Sequence, residues 1–314
     1  MANFYPRLNV TGDFCIFVAV EQTLIANIMD LEGRRTSSNV EDRRRSGGRT
    51  AGMGIGGLAV VALITWLLGG NPMSVISQAD LGSLVTTQTE NNREFTQEEQ
   101  ELAQFASQVL ASTEDVWTKV FKMYGRTYTP PKMVLFTGSV QTGCGGATSS
   151  VGPFYCSADQ ALYIDLSFFQ QMKNEMGAGG DFAYAYVIAH EVGHHVQNLL
   201  GTLGQVNNIR SRSNEKQANE YSVRLELQAD FYAGLWGHYE NKYFNSLEDG
   251  DIEEALRCSE KIGDDYLQKQ AYGYTVPDAF THGTSAQREK WLRKGLNTDD
   301  INDGDTFSGS YSAL

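Results

Sequence analysis

Asp181-Phe-Ala-Tyr-Ala-Tyr-Val-Ile-Ala-His190-Glu191-Val192-Gly193-His194-His-Val-Gln-Asn-Leu-Leu-Gly201 is the stretch whose reading decides the fold. Asp181 follows the run Gly177-Ala-Gly-Gly180 as an N-cap, Gly201 can close the C-terminus, and the dense apolar residues between predict a largely buried helix. Histidines four apart on a helix share a face. His190 and His194 can therefore put both imidazoles on one zinc, while Glu191 points towards a water beside the metal. The flanking Val187, Ile188, Ala189, Val192 and Val196 are apolar, as a metal in a site of low dielectric requires.

A tetrahedral catalytic zinc takes three protein ligands and leaves its fourth position open. A metzincin would place a glycine and a histidine where this chain has Gln197 and Leu200, so that pattern fails. The match is Glu226-Leu-Gln-Ala-Asp230, on a helical run that begins near Asn214. Glu226 and Asp230 share a face: the first can bind zinc, and the second can accept the free ring N–H of a ligand histidine. The competing reading is a solvated acidic face, common in a chain with 38 Asp/Glu against 25 Lys/Arg. The absence of another third ligand after HExxH favours Glu226.

HExxH followed by ExxxD on a second helix resembles the glutamate-zincin, thermolysin-like clan. More closely, Ser-Asn-Val-Glu-Asp-Arg-Arg (38–44), Val-Gly-Pro-Phe-Tyr-Cys (151–156), His-Glu-Val-Gly-His-His-Val-Gln (190–197) and Thr-His-Gly-Thr-Ser (281–285) resemble the bacterial family described as "Putative neutral zinc metallopeptidase". The likeness runs from about Gly33 to about Gly295. It implies an α+β fold: a predominantly helical zincin-type metallopeptidase domain with a small β-sheet, preceded by one transmembrane helix. It implies no particular substrate.

The composition of the 314 residues, 41% hydrophobic and 20% charged, suits a sizeable soluble domain with an appendage. Within residues 1–28 the apolar run 14–20 is too short to span a bilayer and lacks the flanks of a secretory signal. Met29 then opens Met-Asp-Leu-Glu-Gly-Arg-Arg, where chains of the resembled family tend to begin, so residues 1–28 read as a start-site artefact or an extension outside the fold. Residues 50–70 are uncharged and read as a transmembrane helix. Arg34, Arg35, Arg43, Arg44, Arg45 and Arg49 lie upstream, and the first basic residue downstream is Arg93. The positive-inside rule then makes 1–49 a cytoplasmic segment and sends the rest outward. The expected location is the bacterial inner membrane, single-pass, with a catalytic domain facing the periplasm or exterior. Residues 71–95 read as a linker, 96–297 as the peptidase domain and 298–314 as a tail. Residues 1–49 carry seven Lys/Arg and six Asp/Glu, leaving 18 against 32 in the remainder, a balance that repels nucleic acid.

Thr96 and Glu99 form a capping box before a core helix that runs to Gly125. Residues 133–136 and 161–168 read as strands. Between them, Cys144 and Cys156 lie close in sequence and are expected to pair in an exported domain. In glutamate-zincins an exposed strand before the active helix pairs with substrate backbone, and either the 143–156 segment or the Tyr163 strand is placed for that. Cys258 reads as a buried thiol. Of the five histidines, His195 points away from the shared face and reads as a histidine behind the ligands or a packing one, and His238 lies too far along its helix. His282 falls in a loop after a 252–270 helix and before a helix capped by Thr284 and Gln287. With Tyr272 and Tyr274 it is a candidate donor to an oxyanion.

These residues predict peptide hydrolysis with Zn2+ on His190, His194 and Glu226, Glu191 as general base and Asp230 behind a ligand histidine. The substrate is then a peptide or unfolded protein. Two other readings are a zinc hydrolase of a non-peptide amide and a non-catalytic envelope scaffold; Glu191 argues against the scaffold, since a structural site needs no base.

Overall fold

The computed structural model describes residues 29–45 and 94–314. Helix α1 (Gln97–Met123) starts at the predicted box: the Thr96 side chain accepts from the Glu99 amide, and the Glu99 carboxylate accepts from the Thr96 amide. Its apolar stripe, Val109, Leu110, Val116, Trp117 and Val120, is buried in the main core. Strands β1 (Val40–Asp42), β2 (Lys132–Phe136), β3 (Ser139–Thr142), β4 (Gly145–Thr148), β5 (Phe154–Cys156) and β6 (Ala161–Asp165) make one four-stranded sheet and one hairpin. The sheet order is β1-β2-β6-β5; β1, β2 and β6 are parallel, β5 is antiparallel to β6, and β3 pairs with β4.

The strand expected over 161–168 ends at Asp165. That carboxylate accepts the amides of Ser167 (3.0 Å) and Gly138 (2.8 Å), and helix α2 (Ser167–Asn174) follows at once. All of β6 is buried, because Leu162 and Ile164 face the helical core while Tyr163 packs with Val134, Phe136 and Val140 of the hairpin side. Paired on both edges, β6 has no backbone edge for a substrate. In the 143–156 segment, by contrast, β4 pairs only with β3 and β5 only with β6 among the described residues, so that segment keeps unpaired strand edges.

Helix α3 (Asp181–Leu200) carries the histidines and ends at Gly201 with φ 84°, as predicted. Its N-cap is Gly180 rather than Asp181, whose carboxylate accepts the Met29 amide at 2.8 Å. Helix α4 (Thr202–Arg210) leads to α5 (Glu215–Phe244), capped by the Asn214 side chain on the Gln217 amide. The single helix expected over 252–270 is two, α6 (Asp251–Lys261) and α7 (Asp264–Tyr272). The chain breaks because Gly263 abuts the 281–285 loop, where a Cβ would come 2.4 Å from the Ser285 nitrogen, and the Asp264 amide donates to Gly283 O at 2.9 Å. Helix α8 (Ser285–Leu296) carries the predicted Thr284/Gln287 box. Glycines let the helices meet: a Cβ on Gly234 of α5 would lie 2.2 Å from Leu292 O of α8, and one on Gly193 of α3 would lie 2.9 Å from Ala229 O of α5.

Two segments set apart in the sequence belong to this body. Met29 and Leu31 are buried in the main core, β1 pairs along β2, and Arg34 Nη1 donates to the buried Glu240 at 2.7 Å. At the C-terminus Arg224 of α5 donates to Thr306 O and to Gly309 O (3.0 Å), and Gln228 Nε2 donates to Gly304 O at 2.8 Å. Buried polar groups need such partners, so both segments pack as parts of the fold. The Arg44 guanidinium lies 4.0 Å from the Phe95 ring centroid and donates to Glu99 O at 2.9 Å. The two described ends that flank residues 46–93 therefore meet. The 50–70 span lies outside the described residues; among the described residues no helix is long and apolar enough to cross a membrane.

Candidate metal centre

Gly193 lets α5 approach α3 closely enough for Glu226 to face the two histidines. Glu226 Oε2 lies 3.1 Å from His190 Nε2, and Oε1 lies 3.5 Å from His194 Nε2. One ligand atom from each of the three residues lies within 4.8 Å of the others. Ligand atoms about 2.0–2.1 Å from a tetrahedral zinc stand roughly 3.3 Å apart, close to both histidine–Glu226 spacings.

The outer nitrogens hold both rings in the tautomer a metal needs. Asp230, fully buried on α5, accepts from His190 Nδ1 at 2.8 Å; since a carboxylate only accepts, Nδ1 carries a proton, and Nε2, turned to Glu226, is the nitrogen a metal would take. His194 Nδ1 donates to Gln197 Oε1 at 2.9 Å, and Gln197 is fixed in turn by donating to Leu225 O at 2.7 Å. Asp230 also accepts from the Tyr186 hydroxyl (2.6 Å) and from Arg288 Nε and Nη2, both at 2.9 Å. Burial disfavours the Asp230 charge, yet Arg288 and His190 hold the carboxyl far below its usual range.

The charges of the cluster call for a cation. Burial opposes ionisation of Glu226, but the two imidazoles hold it well below the ordinary carboxylate range. Burial likewise pulls the His194 ring down, and Glu226 outweighs it, lifting the ring to about 9. The positive charge that Glu226 draws onto His194 stands where a divalent ion would balance the same carboxylate. Glu191 is buried beside them, and burial pushes its carboxyl up despite the pull of both rings.

His195 lies outside the cluster, donating from Nε2 to Thr129 O (2.7 Å) and accepting the Tyr155 hydroxyl on Nδ1 (2.9 Å). His238 bonds Leu296 O at 3.2 Å, away from the cluster. The His282 side chain, 52% exposed, meets Asp264 with Nδ1 to Oδ1 at 3.2 Å. Asp264 Oδ2 accepts the amides of Thr281, His282 and Gly283 at 2.7, 2.6 and 3.0 Å, so one carboxylate shapes the loop. Partial burial opposes the His282 charge; Asp264 and the nearby Glu226 outweigh it and raise the imidazole. Tyr272 and Tyr274 are exposed surface residues with rings 6.2 Å apart. Cys144 and Cys156 form a disulfide with Cα atoms 5.9 Å apart, tying the hairpin turn to β5, and Cys258 is a buried thiol.

Sequence reasoning missed Gln197, Arg288 and Asp264. Gln197 lies one turn after His194 on the same face, which is a readable signal; Arg288 and Asp264 reach the site only through the packing of α8 and α7.

The family model described as "Putative neutral zinc metallopeptidase" matches residues 29–307. The chain belongs to that family. It is 47% identical over 294 residues to "Uncharacterized protein YpfJ" of Escherichia coli K12, covering 90% of this chain and 100% of that one. It is 48% identical over 193 residues to "Uncharacterized protein Rv2575" of Mycobacterium tuberculosis, covering 58% of this chain and 64% of that protein. No solved structure matches. The family match begins at the segment that supplies Met29 and β1, in keeping with its place in the fold.

Proposed function

We propose that the protein is a zinc-dependent peptidase that hydrolyses peptide bonds in extended or unfolded chains, with His190, His194 and Glu226 as ligands and Glu191 as general base. The carrying observation is that the buried carboxylate of Glu191 adjoins a three-ligand cluster in which both rings are anchored through Nδ1 and turn Nε2 to Glu226. A structural zinc is closed by four protein ligands, whereas three with a base alongside is the catalytic arrangement. Bound zinc supplies the Lewis acidity that brings the pKa of water from 15.7 to about 7. Glu191 takes the proton as the water attacks the carbonyl and passes it to the leaving amine. His282, its charged form favoured and its ring aimed by Asp264, would donate to the oxyanion that develops. The unpaired edge of β5 is the surface for an extended substrate, and that edge favours a peptide over a non-peptide amide.

The disulfide favours an exported catalytic body. Membrane contact through residues 50–70 remains part of the proposal, with both flanks of that stretch on the side of the active site. The test is cleavage of a permanently unfolded protein by the purified full chain. Activity abolished by a chelator and restored by zinc is expected; cleavage that persists in the chelator, or none with zinc bound, would overturn the reading.

A further inference from the structure

His195 follows the ligand His194 on α3 but turns away from the metal cluster, and it is completely buried. Its Nε2 donates to Thr129 O at 2.7 Å; a neutral imidazole has one donor, so Nδ1 is left to accept the Tyr155 hydroxyl at 2.9 Å. Asn198, about one turn further along α3, donates from Nδ2 to the same hydroxyl oxygen at 3.2 Å. The rings of Tyr128 and Tyr155 both meet the imidazole edge-on, with centroids 5.9 and 5.5 Å away. A side chain that only filled space there would need neither hydrogen bond.

Tyr155 is the middle residue of β5, opposite Leu162 of β6. Side chains alternate along a strand, so Phe154 and Cys156 pack on the side of Val134, Phe136 and Tyr163 while Tyr155 reaches α3. Strand β5 is thus held on three sides: by its ladder with β6, by the stack of Phe154 on Tyr163 with centroids 5.1 Å apart, and by the Tyr155 hydroxyl on α3. Its fourth side, the second ladder edge, is unpaired among the described residues. The disulfide joins β5 to the hairpin turn and not to α3, and among the described residues the side-chain hydrogen bonds between β5 and α3 both end on Tyr155. We propose that Tyr155 is a positioning residue: His195 and Asn198 hold it so that the unpaired edge of β5 stays fixed relative to His190, Glu191 and His194, ready to pair with an extended substrate. The assignment rests on the peptide-binding reading above. Tyr155 touches no reacting atom. A strand edge that is already ordered loses less conformational freedom on pairing, so the tie acts on substrate affinity, and its effect grows with the length of substrate lying along the strand.

The test is Tyr155→Phe in the zinc-loaded full chain, which removes the hydroxyl and keeps the ring. Cleavage is followed on a long unstructured peptide and on a blocked dipeptide too short to lie along β5. KM for the long peptide should rise about 3- to 10-fold, the net worth of one hydrogen bond, while kcat stays within about twofold and zinc content is unchanged. The long-to-short ratio of kcat/KM should fall by a similar factor. A merely structural role would lower the active fraction, and with it kcat on both substrates alike; that result, or an unchanged KM for the long peptide, overturns the assignment. Binding without turnover is read in Glu191→Gln, loaded with zinc and titrated with the labelled long peptide. Adding Tyr155→Phe should weaken that binding by a similar factor, and equal or absent binding overturns the assignment. A chain that binds with this dependence but cleaves neither substrate defeats the peptidase reading alone, and one that cleaves without the dependence defeats the positioning role alone. If the Phe variant does not fold, Asn198→Ala, which removes one of the two bonds to the hydroxyl, decides by the same measurements: a rise in long-peptide KM of at least about twofold is expected, and none overturns the assignment.

Discussion

Replacing Asp230 by Asn keeps the shape and removes the charge, and its effect can be worked from four contacts. Oδ1 accepts from His190 Nδ1, Tyr186 Oη and Arg288 Nη2, and Oδ2 accepts from Arg288 Nε. An amide must turn its NH2 either to Arg288 Nε or to the His190 side. Each orientation sets donor against donor in a fully buried place. If it faces Arg288, the guanidinium loses half of its paired fork, and breaking a buried pair costs about 3–5 kcal/mol of stability. If it faces His190, the ring loses the bond that fixes its tautomer, and such losses weaken metal binding by about 10- to 100-fold, or about 1.4–2.7 kcal/mol. Folding free energies of about 5–15 kcal/mol leave the variant folded at 25 °C. Zinc affinity should be measured by competition with a chromophoric chelator, and stability by thermal melts with metal removed. The expected result is a lower melting temperature together with zinc binding weakened at least about tenfold. A variant that melts early yet binds zinc as tightly as the wild type would show that Asp230 supports the fold and does not orient His190.

Three further outcomes follow from other parts of the molecule. Gly193→Ala pushes a methyl against Ala229 O, so α5 must shift; destabilisation on the order of 1–3 kcal/mol and weaker zinc binding are expected, and unchanged zinc affinity would show that the close approach does not set Glu226. Reducing the Cys144–Cys156 disulfide opens a short loop, and a loss of roughly 3 kcal/mol on the chain-entropy model is expected in denaturant titration, against no change if the hairpin holds itself. The Asp264–His282 pair contributes most between the two unfolded pKa values: Asp264, lowered in the fold, loses its contribution as pH falls below about 4, and His282, raised in the fold, loses its own as pH climbs above about 6.5. With metal removed, His282→Gln should therefore cost stability chiefly in that window, by no more than about 1 kcal/mol for a half-exposed side chain, and a pH-independent cost would contradict the pairing.

What the sequence revealed were features whose signal is local. The HExxH helix, Glu226 with Asp230 one turn on, both capping boxes and the Asn214 start of α5 each rest on residues a few positions apart, and each is found. What it hid depends on distant packing. Val40-Glu-Asp42 is too short and too charged to read as a strand, and only its register against β2 makes it one. Arg34 and Arg44 read as a cytoplasmic flank because arginines carry the same signature whether they face lipid headgroups or, as here, Glu240 and Phe95. Arg288 looks like any charged position on a polar helix until α8 lies across α5. The split at Gly263 was invisible for the same reason, since its cause is a loop about twenty residues downstream.

The most direct measurement of the central claim is peptide cleavage by Glu191→Gln with its zinc content determined on the same sample. One zinc per chain, an unchanged melt and turnover reduced by at least about a hundredfold are the expected result, because the ligands remain and only the proton acceptor is lost. Turnover within a few fold of the wild type, with zinc bound, would contradict Glu191 as the base and with it the assignment of this centre as a peptidase.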